Sequence, residues 1–306
     1  MLEGILPLWK EKGMTSYDCV FRLRKILGMK RIGHTGTLDP DVEGVLPICL
    51  GRATKAAEYV TDMGKTYEAV VSIGRSTETE DASGATVEQD LTVKRFTDTE
   101  IREVLRSLTG EITQIPPMYS AVKVNGKRLY EYARQGQPVE RPSRKVLIRE
   151  IELLSPGQHF EGNEVEFRIR VDCGKGTYIR TLAVQIGDKL GYPAHMASLV
   201  RTASGPFKAE DCLTLSDVEH QRDQGNVEGA VLPVERALSE FPPVHAGDLL
   251  PKILNGQVLP AHPLLAEHPR IVFYEGNRAV AVYRRHPEKN GLMKPEKMFG
   301  MAEDKR

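Results

Sequence analysis

Thr66-Tyr67-Glu68-Ala69-Val70-Val71-Ser72-Ile73-Gly74 alternates, with Tyr67, Ala69, Val71 and Ile73 on one face and Glu68 and Ser72 on the other. A period of two, with aromatic and β-branched residues on one side, predicts a half-buried strand. Working outward, similar patterns recur at residues 146–154 and 164–171, the latter placing Val165, Phe167, Ile169 and Val171 together. Other stretches carry the helical period. Thr15 and Asp18 form a helix-start box ahead of Val20, Leu23 and Leu27, with Gly28 as the stop. Thr97 and Glu100 do the same ahead of Ile101, Val104, Leu105 and Leu108, with Gly110 at the end. A helix from Thr177 carries Ile179, Leu182, Ala183, Ile186 and Leu190. Residues 31–40, with two glycines and a proline, read as a loop, and the stretch after Gly74 as a polar loop. Strands and helices do not alternate regularly. The expected class is therefore α+β, a mostly antiparallel mixed sheet with packed helices, rather than a doubly wound parallel sheet.

Around Phe241-Pro242-Pro243 the pattern shifts to short strands and turns, including a hairpin through Glu275-Gly276-Asn277. With 306 residues to accommodate, two domains are expected, at 1–240 and 241–306, the second small and β-rich.

Lys+Arg and Asp+Glu balance at 42 each, so a polyanionic partner must be argued from clustering. Between Ala121 and Arg149 stand Lys123, Lys127, Arg128, Arg134, Arg141, Arg144, Lys145 and Arg149, opposed only by Glu131 and Glu140. This basic segment, about 124–145, interleaves Tyr130 and Tyr132, a composition suited to RNA phosphates and also to a solvated loop. Cys19, Cys49, Cys173 and Cys212 form no CxxC pair and no short Cys/His cluster, which argues against structural zinc and a disulfide framework and fits a reducing, cytoplasmic setting. The amino terminus has no long apolar run, since Pro7 interrupts it and Lys10, Glu11 and Lys12 follow; neither secretion nor a membrane span is expected.

The densest constellation is Gly33-His34-Thr35-Gly36-Thr37-Leu38-Asp39-Pro40-Asp41-Val42-Glu43-Gly44-Val45-Leu46-Pro47. Its glycines permit close backbone approach, and Pro40 stiffens the neighbourhood of Asp39. On composition alone, Asp39 and Asp41 could equally bond turn amides. The stretch lacks the Gly-Lys-Ser/Thr ending of a nucleotide-phosphate loop and the spacing of an EF-hand, so neither a nucleotide cofactor nor a metal is expected.

This motif resembles the catalytic motif of the bacterial TruB family of tRNA pseudouridine-55 synthases, with Val42 where the family usually has alanine. Further matches follow in the family's order: Lys65-Thr66-Tyr67, Thr77-x-Thr79-x-Asp81-x-x-Gly84, the stretch Gln114-Ile115-Pro116-Pro117-Met118-Tyr119-Ser120-Ala121-Val122-Lys123, and Gly174-Lys175-Gly176-Thr177-Tyr178-Ile179-Arg180. Residues 195–207 resemble a further block, with Val200 replacing its first arginine while Leu199 and Arg201 stay. The tail ending at Phe299 is similar to the PUA domain that closes bacterial members.

The resemblance implies the pseudouridine synthase fold, action on the TΨC stem-loop of tRNA, and no cofactor, metal or obligatory protein partner. It makes Asp39 the catalytic carboxylate and Arg180 the guanidinium that favours its ionised form. Asp81 is the carboxylate orienting Arg180. Tyr67 and Leu199 flank a flipped uracil, His34 fills the space the base vacates, and Tyr178, Lys127 and Arg128 contact substrate. Taken without the resemblance, each residue has a plainer role: strand packing for Tyr67, core for Leu199, a turn for His34, solvated charge for Arg180 and Asp81. Two other functions stay open, a tRNA-folding chaperone of the same fold and a guide-dependent synthase subunit.

Overall fold

The computed structural model describes residues 2–155 and 160–300. These fall into two compact units, one built from the described residues of 2–41, 45–61 and 205–300, the other from those of 42–44, 62–155 and 160–204.

The first unit opens with β1 (Gly4–Lys10) and α1 (Ser16–Leu27). Thr15 accepts from the Asp18 amide while Asp18 accepts from the Thr15 amide, and Gly28 ends the helix at φ +60°. Such a reciprocal box satisfies amides the helix leaves unpaired, for about 1 kcal/mol. Residues expected as loop then form β2 (Ile32–His34), antiparallel to β3 (Glu43–Leu50) with His34 opposite Ile48. Three residues carry no readable period; pairing with β3 makes the strand. Next comes α2 (Ala57–Asp62).

The second unit holds β4 (Lys65–Ile73), β5 (Arg75–Thr77), β6 (Thr86–Gln89), β7 (Lys94–Phe96), α3 (Asp98–Ser107) and β8 (Gly110–Gln114). There follow β9 (Lys123–Val124), β10 (Lys127–Arg128), α4 (Leu129–Arg134), β11 (Arg144–Leu153), β12 (Phe160–Gly162), β13 (Val165–Cys173), α5 (Ile179–Leu190) and β14 (Ala194–Ser204). Its sheet runs β8-β11-β13-β4-β14, every neighbouring pair antiparallel, and β14 also pairs in parallel with Glu43 and Gly44. The stretch after Gly74 is not the expected loop: β5 and β6 form a hairpin whose β6 residues are all exposed, so no buried face marks it in the sequence.

One face of this sheet carries Ala69, Val71, Ile73, Phe167, Ile169 and Val171, all buried, with α3 and α5 packed on the sheet. Each fully buried large side chain contributes roughly 1.5–3 kcal/mol. The other face is a charge ladder in which Glu68 meets Arg168 and Arg170, Arg170 meets Glu152, and Arg149 meets Asp172. Exposed pairs of this kind add little stability.

The chain returns to the first unit with β15 (Phe207–Lys208) and α6 (Leu215–Asp223). A five-stranded sheet follows: β16 (Pro243–His245), α7 (Leu250–Leu254), β17 (Leu259–Pro260), β18 (Arg270–Glu275), β19 (Arg278–Arg285) and β20 (Leu292–Met298), in the order β16-β18-β19-β20-β17. Ile253, Leu259, Ile271, Phe273, Ala281, Tyr283 and Met293 form its core. Among the described residues no helix is long and apolar enough to cross a membrane.

Candidate active site

Asp39 is held through its neighbours. The Leu38 amide donates to Ser16 Oγ at 2.9 Å, and Pro40 O accepts from Lys10 Nζ at 3.1 Å and from the Gly13 amide at 2.9 Å. Lys10 is fully buried, so its ammonium is fixed on backbone oxygens rather than offered to solvent. At the base of the loop both the amide and the hydroxyl of Thr35 donate to Pro47 O, each at 3.1 Å. A half-buried carboxylate thus sits on a loop pinned at 16, 10 and 35. Gly44 owes its place to packing: at φ +126° a Cβ there would lie 2.2 Å from Arg201 O. No side chain fits where the two strands approach.

The second unit brings five predicted residues into two groups. Tyr67 on β4 lies opposite Arg201 on β14, and Leu199 lies opposite Ala69, so Tyr67, Leu199 and Arg201 share one sheet face. Arg201 is almost wholly buried. Lys65 points to the same side as Tyr67, and burial, with Arg201 adding to it, pulls its ammonium down to about 8.

The other group is built on the first turn of α5. Arg180, buried, donates from Nη1 to Thr79 O at 3.1 Å and from Nη2 to Tyr119 O at 2.9 Å. Asp81 Oδ2 lies 3.8 Å from Nη1, beyond hydrogen-bond reach but within ion-pair distance. The other Asp81 oxygen is already occupied, accepting from Thr79 Oγ1, Ser83 N and Ser83 Oγ. Two carbonyls therefore orient Arg180, with Asp81 as a nearby counter-charge. Tyr178 caps α5, and its peptide is grasped by Gln114, which accepts from Tyr178 N at 2.9 Å and donates to Tyr178 O at 3.2 Å.

Gln114, Lys10, Ser16 and the carbonyls of Thr79 and Tyr119 escaped the sequence reading. Gln114 lies in a quoted motif, yet no local spacing links it to a helix 64 residues on. Lys127 and Arg128 are exposed on β10: Arg128 Nη1 donates to Tyr130 Oη at 2.9 Å and Lys127 Nζ lies 5.7 Å from the Tyr132 ring centre. Among the described residues no group of three or more His, Cys, Asp or Glu is arranged to hold a metal ion.

Residues 24–179 match the model of the TruB family pseudouridylate synthase N-terminal domain, and residues 180–239 that of the tRNA pseudouridylate synthase B C-terminal domain. The chain belongs to the TruB family. It is 54% identical to tRNA pseudouridine synthase B of Bacillus cytotoxicus, covering 97% of each chain. To the protein of the same name in Geobacillus thermodenitrificans it is 52% identical, covering 97% of this chain and all of that one. Among solved structures it is similar to a chain in a Cbf5-Nop10-Gar1 complex, at TM-score 0.71 and 29% identity over 98% of this chain and 86% of that one. The α+β architecture read from the sequence is that of these TruB-family relatives.

Proposed function

We propose that this TruB-family enzyme converts uridine 55, in the TΨC arm of tRNA, to pseudouridine, with Asp39 as the catalytic carboxylate. The reaction breaks the N1–C1′ bond, turns the base and joins C5 to C1′; a proton leaves C5, N1 ends protonated, and no electrons are gained or lost. The protein must therefore expose the nucleotide, fix the sugar, and offer one group able to give and retake an electron pair or proton. A carboxylate serves that need.

The observation that carries the reading is the holding of Asp39: its loop is anchored by buried side chains at both flanks, as a group acting on a reacting atom requires. Arg180 is fixed in advance by two backbone oxygens. Tyr67 and Leu199 offer an aromatic and an aliphatic surface for uracil, and His34 a ring to replace the base in the RNA loop. Tyr178, which caps the helix of Arg180, is the further substrate contact in this reading. Asp81 sets its carboxylate 3.8 Å from the Arg180 guanidinium. Lys127 and Arg128 on the insertion, and a PUA-like segment at 241–306, supply backbone grip; residues 301–306 lie outside those described. The protein works in the cytoplasm, alone, with no metal or cofactor.

The test uses purified protein, chelator, and an unmodified tRNA transcript tritiated at uridine C5. Tritium should pass to water, with pseudouridine mapped at one TΨC-arm position. A transcript that stays unchanged, or changes only when guide RNA and partner proteins are added, refutes this reading.

A further inference from the structure

Glu80 stands between the two residues that face Arg180, Thr79 through its carbonyl and Asp81 through its carboxylate. Its backbone is in the left-handed region at φ +61°, which strains a side-chain-bearing residue as it would not strain glycine. The turn is fixed nonetheless, since the Glu80 amide donates to Thr77 O at 3.2 Å and its carbonyl accepts from Met196 N at 3.0 Å. A strained position occupied by a mostly buried carboxylate calls for a use of that side chain.

Its contacts run in two directions. Oε2 accepts from Thr181 Oγ1 at 2.7 Å, on the residue next to Arg180 in the first turn of α5. Oε1 lies 3.9 Å from Arg141 Nη1, and that same nitrogen donates to Pro116 O at 3.1 Å. Pro116 and Tyr119 are the near root of the basic insertion and Arg141 is its far root. Tyr119 O in turn receives Arg180 Nη2. The far root thus meets the turn through Glu80, and the near root meets Arg141 through Pro116 O and Arg180 through Tyr119 O. Burial pushes the Glu80 carboxyl up, against Thr181, Arg180 and Arg141, which favour its charge.

We infer that Glu80 is a positioning residue that couples the placement of the insertion on RNA to the placement of Arg180. The inference rests on the proposed function. When the insertion closes on phosphates, the Arg141–Glu80–Thr181 link carries its position to the turn of α5 that bears Arg180.

Glu80→Gln keeps the shape and an acceptor for Thr181 but removes the charge facing Arg141. Arg141→Gln removes the other end. With full-length tRNA transcript at saturating enzyme, each single variant should lower the single-turnover rate about tenfold with the Kd for tRNA nearly unchanged, and the double variant should be no slower than either single. Rate losses that multiply, or a Kd that weakens while the saturated rate holds, overturn the coupling. Should Glu80→Gln fail to fold, Arg141→Gln at a half-exposed site decides alone: an unchanged rate overturns the inference and a tenfold fall supports it. Wild-type protein that binds tRNA yet forms no pseudouridine is a different failure, which refutes the proposed function and this inference with it.

Discussion

The surroundings of Arg180 and the basic insertion belong to the same unit, within residues 79–181, and they are built on opposite principles. Arg180 is buried and bound to two carbonyls, on a helix turn itself held by Gln114. The insertion presents exposed Lys127 and Arg128, whose charges rest on its own Tyr130 and Tyr132, a cheap and easily reversed arrangement. Fixed geometry suits a reacting centre and adaptable charge suits a phosphate backbone. Substitutions of exposed Lys127 and Arg128 and of Arg180 should therefore separate affinity from rate.

The largest effect is expected at the carboxylate. Asp39→Asn should take turnover below detection with tRNA binding retained, and Asp41→Asn should leave turnover within about threefold of wild type, because an amide is neither base nor nucleophile here. Pseudouridine formed by Asp39→Asn at a near wild-type rate would place the chemistry on another group. Next, Arg180→Lys should cost about 100-fold in single-turnover rate. One ammonium cannot span Thr79 O and Tyr119 O as the planar guanidinium does. A change confined to Kd would show that the Arg180 region belongs with the gripping surface.

Lys65 tests the same contrast through pH. Its folded pKa, about 8, is depressed from 10.5, so between those values the unfolded chain holds the extra proton. Stability then rises with pH across that window, and below about 8 the buried charge costs the fold about 3 kcal/mol. The advantage of Lys65→Met in melting temperature should be greatest near pH 7 and shrink steadily toward pH 10; a pH-independent difference would mean that burial does not strain this ammonium. The smallest effect is expected on the insertion. Lys127→Ala with Arg128→Ala should reduce the slope of log K against log salt by about 1.5, as for two lost phosphate contacts. The saturated rate should stay within about twofold. Binding measured from 50 to 300 mM salt checks this, and an unchanged slope would return the segment to a solvated loop.

The sequence made some levels of this structure readable and hid others. Alternation at 66–74 and 164–171 and the boxes at Thr15 and Thr97 were legible because each depends on residues a few places apart. The strand at 32–34 and the hairpin of β5 with β6 were not, since the first exists through pairing with β3 and the second buries no apolar face. At the site, motif resemblance singled out Asp39, Tyr67 and Arg180. Nothing local announced that Lys10 would hold Pro40, or that Thr79 and Tyr119 would act through their carbonyls. Backbone oxygens carry no side-chain signature, so contacts made by them stay invisible until the chain is folded.

The grasp of Gln114 on Tyr178 has a consequence for what this position tolerates. A side-chain amide meeting a peptide head-on reads donor against acceptor and acceptor against donor, much as one base reads another across a duplex. Glutamate has the shape but turns an oxygen toward the Tyr178 carbonyl; asparagine has the pattern but is one methylene short; leucine has neither and takes away the acceptor of the Tyr178 N–H, leaving Tyr178 O only the Leu182 amide among its backbone donors. The third hydrogen bond, from Gln114 Nε2 to Gln185 Oε1 at 3.2 Å, fixes which way the amide faces. The alphabet permitted at 114 thus shrinks to a single letter, and that restriction comes from a complementarity rule rather than from contact with any substrate.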